Sequence, residues 1–579
     1  MAKVNSKLNI ECILGGPQTG KTTKLIELAN EAASKGEKVL FVCANADSIT
    51  PFQKRFSKQV NVVNPATPAL EVMHTCEADE LFGRGESPHV LNVVAQQMLD
   101  EDMKVSQFKN KRLYSVLNYL YAGWSNLSDD SWEQTYEEDM LIERLHANLR
   151  FIGGILPCEL SNLALNVLRQ CEYLVLDFGF DHVFIDDFCL LSRATQHFLC
   201  KLARLSVTIA ANTHEQVALS CEKYPNFNGV SELCKAFENV QVKHLEHSYQ
   251  AQSVTNALSA LDNAAAAGAV EVVNKPTIEQ ELQALATLAN NALERSETVA
   301  IVGTNGLWRK NVIQNLRRVG FNIEVFEKPE RRIKNLLDAS ECQDAWQQAF
   351  AALNWDFTCG VIWRVLLGLG DGVARSCAID RLRCTVNSKD SAIEYSLSAA
   401  LRMLYNGEIE TAELDEPLFD DLIQAYGHVW DILGKKKNPE ETEEQNFCGN
   451  PYVECMLYAK AKLEILGDKQ KPAVLVCTPE QLAGRQVDNV LFGGFVAGLI
   501  PCRDYFDPAG LAGAAKQREW QRACNVVYSA CAAATKNVTF TAFETCSLEV
   551  AETMGVHIER IKLKDGARMA HARVSNVLK

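Results

Sequence analysis

The stretch GGPQTGKTT, Gly15 to Thr23, constrains the fold of this chain more than any other feature. It matches G-x-x-x-x-G-K-T from Gly15 to Thr22, and that spacing carries a physical demand. Glycines let consecutive backbone N–H groups curl around phosphate oxygens, a lysine reaches the outer phosphates and a hydroxyl binds Mg²⁺. All of this sits at a helix N-terminus, where aligned peptide dipoles favour an anion. The flanks agree with it. Leu8 to Leu14 is a short apolar strand, and KLIELANEAASKG puts Leu25, Leu28, Ala29 and Ala32 on one helical face with Gly36 as a stop. Lys38 to Cys43 (KVLFVC) reads as a strand buried on both faces, as parallel strands are. This order opens a doubly wound α/β domain. Gly15, Gly16, Pro17, Gln18, Thr19, Gly20, Lys21, Thr22 and Thr23 are expected to bind a nucleoside triphosphate, with Thr22 on the metal.

Mg²⁺ at such a loop needs a carboxylate at the end of a neighbouring parallel strand. HVFIDD, His182 to Asp187, supplies one after four residues that can all be buried. Asp186 is expected to hold the metal's water shell, and Asp187 to orient an attacking water.

A chain of 579 residues is too long for one core, so three or four structural units are expected. The 20 cysteines run from Cys12 to Cys546 without a C-x-x-C pair, and the nearest neighbours, such as Cys377 and Cys384, are seven apart. Zinc and iron–sulfur sites usually need a tight pair. Thiols in apolar runs, such as Cys43 and Cys477, therefore read as small hydrophobes. No apolar run approaches the ~20 residues of a membrane span, and Met1 to Asn9 lacks the apolar centre of a signal peptide. A cytoplasmic protein with no membrane partner is expected. The net charge of −15 opposes indiscriminate nucleic-acid binding but leaves room for a local basic groove. Two basic clusters, Lys54, Arg55 and Lys58 and then Lys109, Lys111 and Arg112, read singly as solvated helix faces.

From about residue 76 to 155 the pattern turns helical, as in HVLNVVAQQMLDEDM and RLYSVLNYLYAGW. Strand signals return at Tyr173 to Leu176, His182 to Asp187 and Leu205 to Ala211. The first α/β domain is thus expected to comprise 1–75 and 156–245, split by a helical insert at 76–155. A second begins near residue 246, with strands at Thr298 to Val302, Asn322 to Phe326, Ala473 to Cys477, Asn489 to Phe492 and Val538 to Phe543. It would comprise 246–326 and 469–579 around a helical insert at 327–468. That insert carries the charge-rich loop GKKKNPEETEEQN.

Four further stretches follow in order: HLEHSYQAQ (244–252), TVAIVGTNGLWRKNVIQNLRRVGFNIEVF (298–326), TPEQLAGRQVDNVLFGGFVAGLIP (478–501) and KQREWQRACNVVYSACAAATKNVTFTAF (516–543). Together with the phosphate loop and HVFIDD, they resemble the UvrD/Rep-type DNA helicases of superfamily 1 over nearly the whole chain. They are similar to that family's motif IV (LExNYRS), the segment after it, motif V (TxHxxKGLEF…GxxP) and the motif VI helix. The resemblance implies two RecA-like P-loop NTPase domains, each interrupted by a mostly helical insert. It implies ATP and Mg²⁺ in a cleft between them, and single-stranded DNA or a single-strand/duplex junction across their top. The implied activity is ATP-dependent helicase or translocase action. It also implies Gln216, in ANTHEQVA, as the γ-phosphate sensor of motif III, and Gln250 in the nucleotide site.

The departures from the family fall mostly in the second domain. The motif IV arginine is Gln250 and the motif VI arginine falls on Ala532, and such an arginine carries about 10³–10⁵ of rate in phosphoryl transfer. Motif III lacks the ring that stacks on a base, a contact of ~1–3 kcal/mol. Glu480, Ala483 and Gln486 replace the His, Lys and Glu of motif V. Arg522 and Arg485 are the candidates to replace a lost finger. These losses support an alternative, a degenerate helicase-like ATP-binding scaffold or partner subunit in DNA repair or recombination with little or no hydrolysis. Its partner would be a nuclease or repair subunit. The opening also resembles AddB-like subunits, without their cysteine cluster. A P-loop kinase or GTPase-like switch fits less well, given the length and the lack of an N-K-x-D motif.

Overall fold

The computed structural model describes residues 8–44, 49–57, 59–85, 88–91, 110–128, 135–218, 223–237, 239–262, 270, 272–325, 474–564 and 567–578. The insert expected at 327–468 and its charged loop lie outside the described residues, as do Lys58 and Lys109. The described strands are β1 Asn9–Gly15, β2 Val39–Val42, β3 Val60–Val63, β4 His89–Val90, β5 Gly154–Ile155, β6 Phe180–Ile185, β7 Ala203–Ala211 and β8 Val240–Leu245. They continue as β9 Val272–Thr277, β10 Val299–Val302, β11 Ile323–Val325, β12 Val474–Cys477, β13 Val487–Phe492, β14 Ala534–Ser547, β15 Arg560–Lys564 and β16 Ala567–His571.

The chain divides into two compact units. One comprises Met1–Pro65, Gly179–Phe326 and Gln470–Lys579, and the other Ala66–Phe178 and Glu327–Lys469. The first unit is mixed α/β and holds two mainly parallel sheets. In one sheet the order is β3-β2-β6-β7-β1-β8, with every pairing parallel. The helix Lys21–Ser34 covers it with the apolar face expected from sequence. Leu25, Ile26, Ala29 and Ala33 pack on Phe41, Val60 and Phe184, which places the core beneath the loop that starts the helix. Each of the larger side chains, Leu25, Ile26, Phe41, Val60 and Phe184, contributes about 1.5–3 kcal/mol on burial.

The second sheet runs β11-β12-β10-β13-β14-β16-β15, with β9 also on β14. Its last two pairings, β14 with β16 and β16 with β15, are antiparallel, and the rest are parallel. Trp308 anchors its core, fully buried among Leu285, Val312 and Leu316 of the helices Ile278–Glu294 and Gly306–Val319. Glu281 is buried at the same place. It accepts hydrogen bonds from Trp308 Nε1 (3.1 Å), Gly494 N (2.8 Å) and Thr541 Oγ1 (2.8 Å).

The other unit is helical in its described part, with helices Ala66–Met73, Cys76–Phe82, Asn110–Asn126, Tyr136–Ile152, Pro157–Gln170 and Leu174–Phe178 and the short β4–β5 pair. A Thr135/Glu138 capping box starts the fourth helix and Pro157 the fifth. Arg84 Nη2 donates to the buried Glu159 at 3.3 Å, and Glu159 also accepts from Leu156 N at 3.0 Å.

Two expectations change here. Tyr173 to Leu176, read as a strand, leads into the short helix Leu174–Phe178. A short apolar run does not distinguish strand from helix, and here Tyr173 and Leu176 point outward, the Tyr173 hydroxyl donating to Glu77 at 2.5 Å. The limits expected at 75 and 156 also move. The helices Ala66–Met73 and Pro157–Gln170 pack on each other, so both belong to the helical unit, whereas the two sheets share one unit. Strands β3, β4, β5, β8, β9, β15 and β16 carry no strand signal in the sequence reading. Among the described residues no helix is long and apolar enough to cross a membrane.

Candidate nucleotide site

Gly15 ends β1, which lies between β7 and the edge strand β8 of the first sheet. A Cβ on Gly15 would stand 2.5 Å from Thr19 Oγ1 and 2.8 Å from the Leu245 carbonyl oxygen, so the chain can pass here only as glycine. Gly20, at φ 86°, is the left-handed residue that starts the helix Lys21–Ser34. Thr19 Oγ1 donates to the Gly16 carbonyl at 3.0 Å, and Lys21 Nζ donates to the same oxygen at 2.5 Å. Lys21 is only 9% exposed, so its charge is directed into the loop. A Cβ added at Gly16 would meet nothing within 4 Å, so open space borders the loop there. An anion of phosphate size suits this arrangement of open backbone, helix N-terminus and buried ammonium.

Asp186 follows β6, two strands from β1, yet it reaches the loop. Thr22 Oγ1 donates to both its carboxylate oxygens, at 3.1 and 3.0 Å. Thr22 and Asp186, the residues expected at the metal, are thus brought together. Asp187 is held at φ 50°, in the left-handed region that non-glycine residues rarely adopt.

The strand between β1 and β6 is β7, and the loop after it enters the same site. Here the structure adds a residue that sequence reasoning missed. Glu215 is buried, its charge raises the Lys21 pKa, and the charge of Asp187 raises its own. Gln216, the expected γ-phosphate sensor, instead accepts from Asn525 Nδ2 at 3.4 Å on the helix Gly513–Ala532. The signal for Glu215 was the ANTHEQVA stretch itself, but only the strand order shows which of its polar residues turns toward Lys21.

The Lys21 ammonium interacts electrostatically with three carboxylates. Burial lowers the Lys21 pKa, opposed by Asp187, Asp186 and Glu215. Burial raises Asp186, and the charge of Asp187 adds to this, while Thr22 and Lys21 oppose it. Asp187 is raised by burial against the pull of Lys21. Burial and Asp187 push Glu215 up to about 7, despite hydrogen bonds from Ser529 and Asn212. Desolvated carboxylates in excess over cations favour a bound cation. No group of three or more His, Cys, Asp or Glu side chains able to hold a metal occurs among the described residues.

The segment after β8 lies against the loop. Ser248 Oγ donates to the Pro17 carbonyl at 3.2 Å, and Tyr249 N donates to the Gln18 carbonyl at 3.1 Å. The Tyr249 ring, 72% exposed and edge-on to His247, is presented beside the loop. Gln250 is placed here too, accepting from Ser248 Oγ at 3.4 Å, with its amide nitrogen buried without a partner. Gln18 sits at φ 53° and sends its amide to the Ala534 carbonyl at 2.6 Å, linking the loop to the start of β14 in the second sheet. Thr23 Oγ1 accepts from Arg55 Nη2 at 3.3 Å, which gives one member of the first basic cluster a place beside the loop.

The second sheet faces this site through the helix Gly513–Ala532. Ser529 Oγ donates to Glu215 at 2.9 Å, and Tyr528 and Asn212 are 3.4 Å apart in hydrogen-bonding contact. Asn525, Tyr528, Ser529 and Ala532 share one helical stripe, and it offers no cation. Arg522 is engaged by Glu519 at 2.7 Å. Arg485 is half-buried, which lowers its pKa to about 10.

No protein-family profile matches this chain, and no curated protein matches it.

Proposed function

We propose that the protein is a P-loop ATPase of the UvrD/Rep helicase type, with two RecA-like sheets, that couples ATP hydrolysis to movement on single-stranded DNA or at a single-strand/duplex junction. The observation that carries the nucleotide half of this reading is the convergence of Lys21, Thr22, Asp186 and Asp187 on one glycine-rich loop. The DNA half rests on the order of the resembling motifs along the chain.

Lys21 neutralises phosphate charge from a buried position, where an ammonium acts more strongly than in water. Thr22 and Asp186 would hold Mg²⁺, and the bound ion would withdraw charge from the phosphate oxygens. Asp187, held beside Lys21, accepts the proton of the attacking water. The exposed ring of Tyr249 offers a face on which the nucleotide base can stack.

The neutral stripe of the helix Gly513–Ala532 favours a second reading, nucleotide binding with little hydrolysis, as a scaffold or partner subunit for a nuclease or repair protein. Steady-state ATP hydrolysis with and without single-stranded DNA, beside Lys21→Ala, separates the two. DNA-stimulated turnover abolished in the variant supports the motor. ATP binding without stimulated turnover would leave the scaffold, and absence of nucleotide binding removes both.

A further inference from the structure

Strand β15, Arg560–Lys564, closes one edge of the second sheet, and among the described residues it pairs only with β16. A strand paired on one side leaves alternate backbone N–H and C=O groups directed outward, open to another strand. Its sequence, RIKLK, alternates cation and aliphatic, and successive side chains of a strand point to opposite faces of the sheet. Ile561 lies opposite Ala570 of β16, and Ala570 lies opposite Cys546 of β14. Ala570 and Cys546 are buried in one core cluster with Ala551 and Met554 of the helix Leu548–Met554. The apolar face of the sheet thus runs outward from the core to β15, but its cover stops short of the edge. Ile561 is 54% exposed and Leu563 77%. The other face of the strand carries Arg560 and Lys562, opposite His571 and Met569. Glu559, the acid next to Arg560, is engaged by Arg573 at 3.4 Å, and neither Arg560 nor Lys562 has an acidic partner among the described residues.

We propose that the free edge of β15 is a docking strand for a protein partner, which adds to the second sheet an extended segment of alternating acidic and aliphatic residues. The open backbone groups supply the attachment, since only another strand satisfies them in register, and the side chains supply the choice of partner. Acidic residues of the segment fall on the face of Arg560 and Lys562, where opposite charges on neighbouring strands attract. Its aliphatic residues fall on the other face, beside Ile561 and Leu563, and extend the apolar surface that the fold leaves uncovered. A second copy of this strand is the wrong occupant. RIKLK laid antiparallel on RIKLK sets cation against cation, and lysine on an edge strand is a common guard against such self-pairing. Single-stranded nucleic acid fits less well too. It would use the cations alone, leave Ile561 and Leu563 in water and find no aromatic ring on the strand to stack a base. Docking here requires neither bound nucleotide nor hydrolysis.

The test uses the full chain and, as probe, a short end-blocked synthetic peptide in which Glu and Val alternate, with affinity read by fluorescence anisotropy. Three controls accompany it: the same peptide N-methylated at every second residue in either phase, a Lys–Val counterpart and a single-stranded DNA oligonucleotide. The Glu–Val peptide is expected to bind. One of the two N-methylated phases, the one that removes the donors facing β15, is expected to bind about tenfold more weakly or worse. Arg560→Glu with Lys562→Glu should lose the Glu–Val peptide by a similar factor and gain the Lys–Val peptide, a positive readout that a damaged fold would not give. Ile561→Ser with Leu563→Ser, both at exposed positions, should weaken the Glu–Val peptide severalfold. A parent that does not bind the Glu–Val peptide overturns the proposal. So does full affinity for both N-methylated forms, which would reduce the contact to charge attraction. Oligonucleotide binding that the charge reversal abolishes, with no peptide bound, would assign the edge to nucleic acid instead. Self-association of the parent that Ile561→Ser with Leu563→Ser abolishes would assign it to a second copy, and either result sinks the proposal.

Discussion

Each of the two sheets buries carboxylates, in opposite ways. In the second sheet Glu281 is fully buried and receives three donors, from Trp308, Gly494 and Thr541. In the first sheet Asp186, Asp187 and Glu215 are buried and interact electrostatically with Lys21, with a threonine hydroxyl serving Asp186 and a serine hydroxyl serving Glu215. A buried carboxylate that is fully hydrogen-bonded holds a structure together, whereas several in excess of their cations leave charge to be neutralised. Glu281 ties the helix Ile278–Glu294 to the turn after β13 and to β14. The other three leave negative charge that Lys21 alone opposes only in part.

The sharpest way to break this contrast is Glu281→Ala. The change leaves the Trp308 indole N–H and the Gly494 amide without their acceptor and opens a cavity beside Trp308. A loss of about 3–5 kcal/mol of stability is expected, read as a lower denaturant midpoint. Glu281→Gln, which keeps one carbonyl acceptor, costs less. If Glu281→Ala were as stable as the parent, the structural role of this carboxylate would be wrong.

The converse test adds the missing charge to the first sheet. Mg²⁺ with ATP at 100 times its Kd should stabilise the fold by about 2.7 kcal/mol through mass action, seen as a rise in Tm. ATP with a chelator should stabilise much less, because the phosphates then add negative charge to three carboxylates. Lys21→Ala should erase the shift. Equal stabilisation with and without Mg²⁺ would show that the carboxylates are not the groups the cation serves.

The same contrast marks what was legible in the sequence. The phosphate loop, its helix and strands β1, β2, β6, β7, β10, β12, β13 and β14 were readable, because each is an apolar run with a matching turn signal. Asp186 was readable for the same reason, as a carboxylate closing an apolar strand. The burial of Glu215 was hidden, since it depends on β7 lying between β1 and β6, a pairing that local pattern does not encode. Glu281 was hidden too. It stands in an ordinary amphipathic helix, and its three donors come from residues up to 260 positions away. The run Tyr173 to Leu176 is misleading because apolar composition does not ensure burial: the fold makes it the start of a short helix and leaves Leu176 exposed.

The smallest effect expected is on pH dependence, and it isolates Glu215. Its pKa stands at about 7 in the folded protein against an ordinary 4.5. The folded state therefore holds a proton between those values that the unfolded chain has released. Stability associated with this group is fully present below about pH 4.5 and is lost as pH rises through about 7. The size is on the order of 1–3 kcal/mol. Asp186 and Asp187 are raised in the same direction, so the parent should lose stability across this range by more than one group's share. Glu215→Gln removes one share and should flatten the profile, leaving the variant more stable than the parent at neutral pH without Mg²⁺. Denaturant unfolding at a series of pH values from 5 to 8 measures it, and a slope unchanged by the substitution would place the Glu215 carboxylate in a more solvated setting than its burial implies.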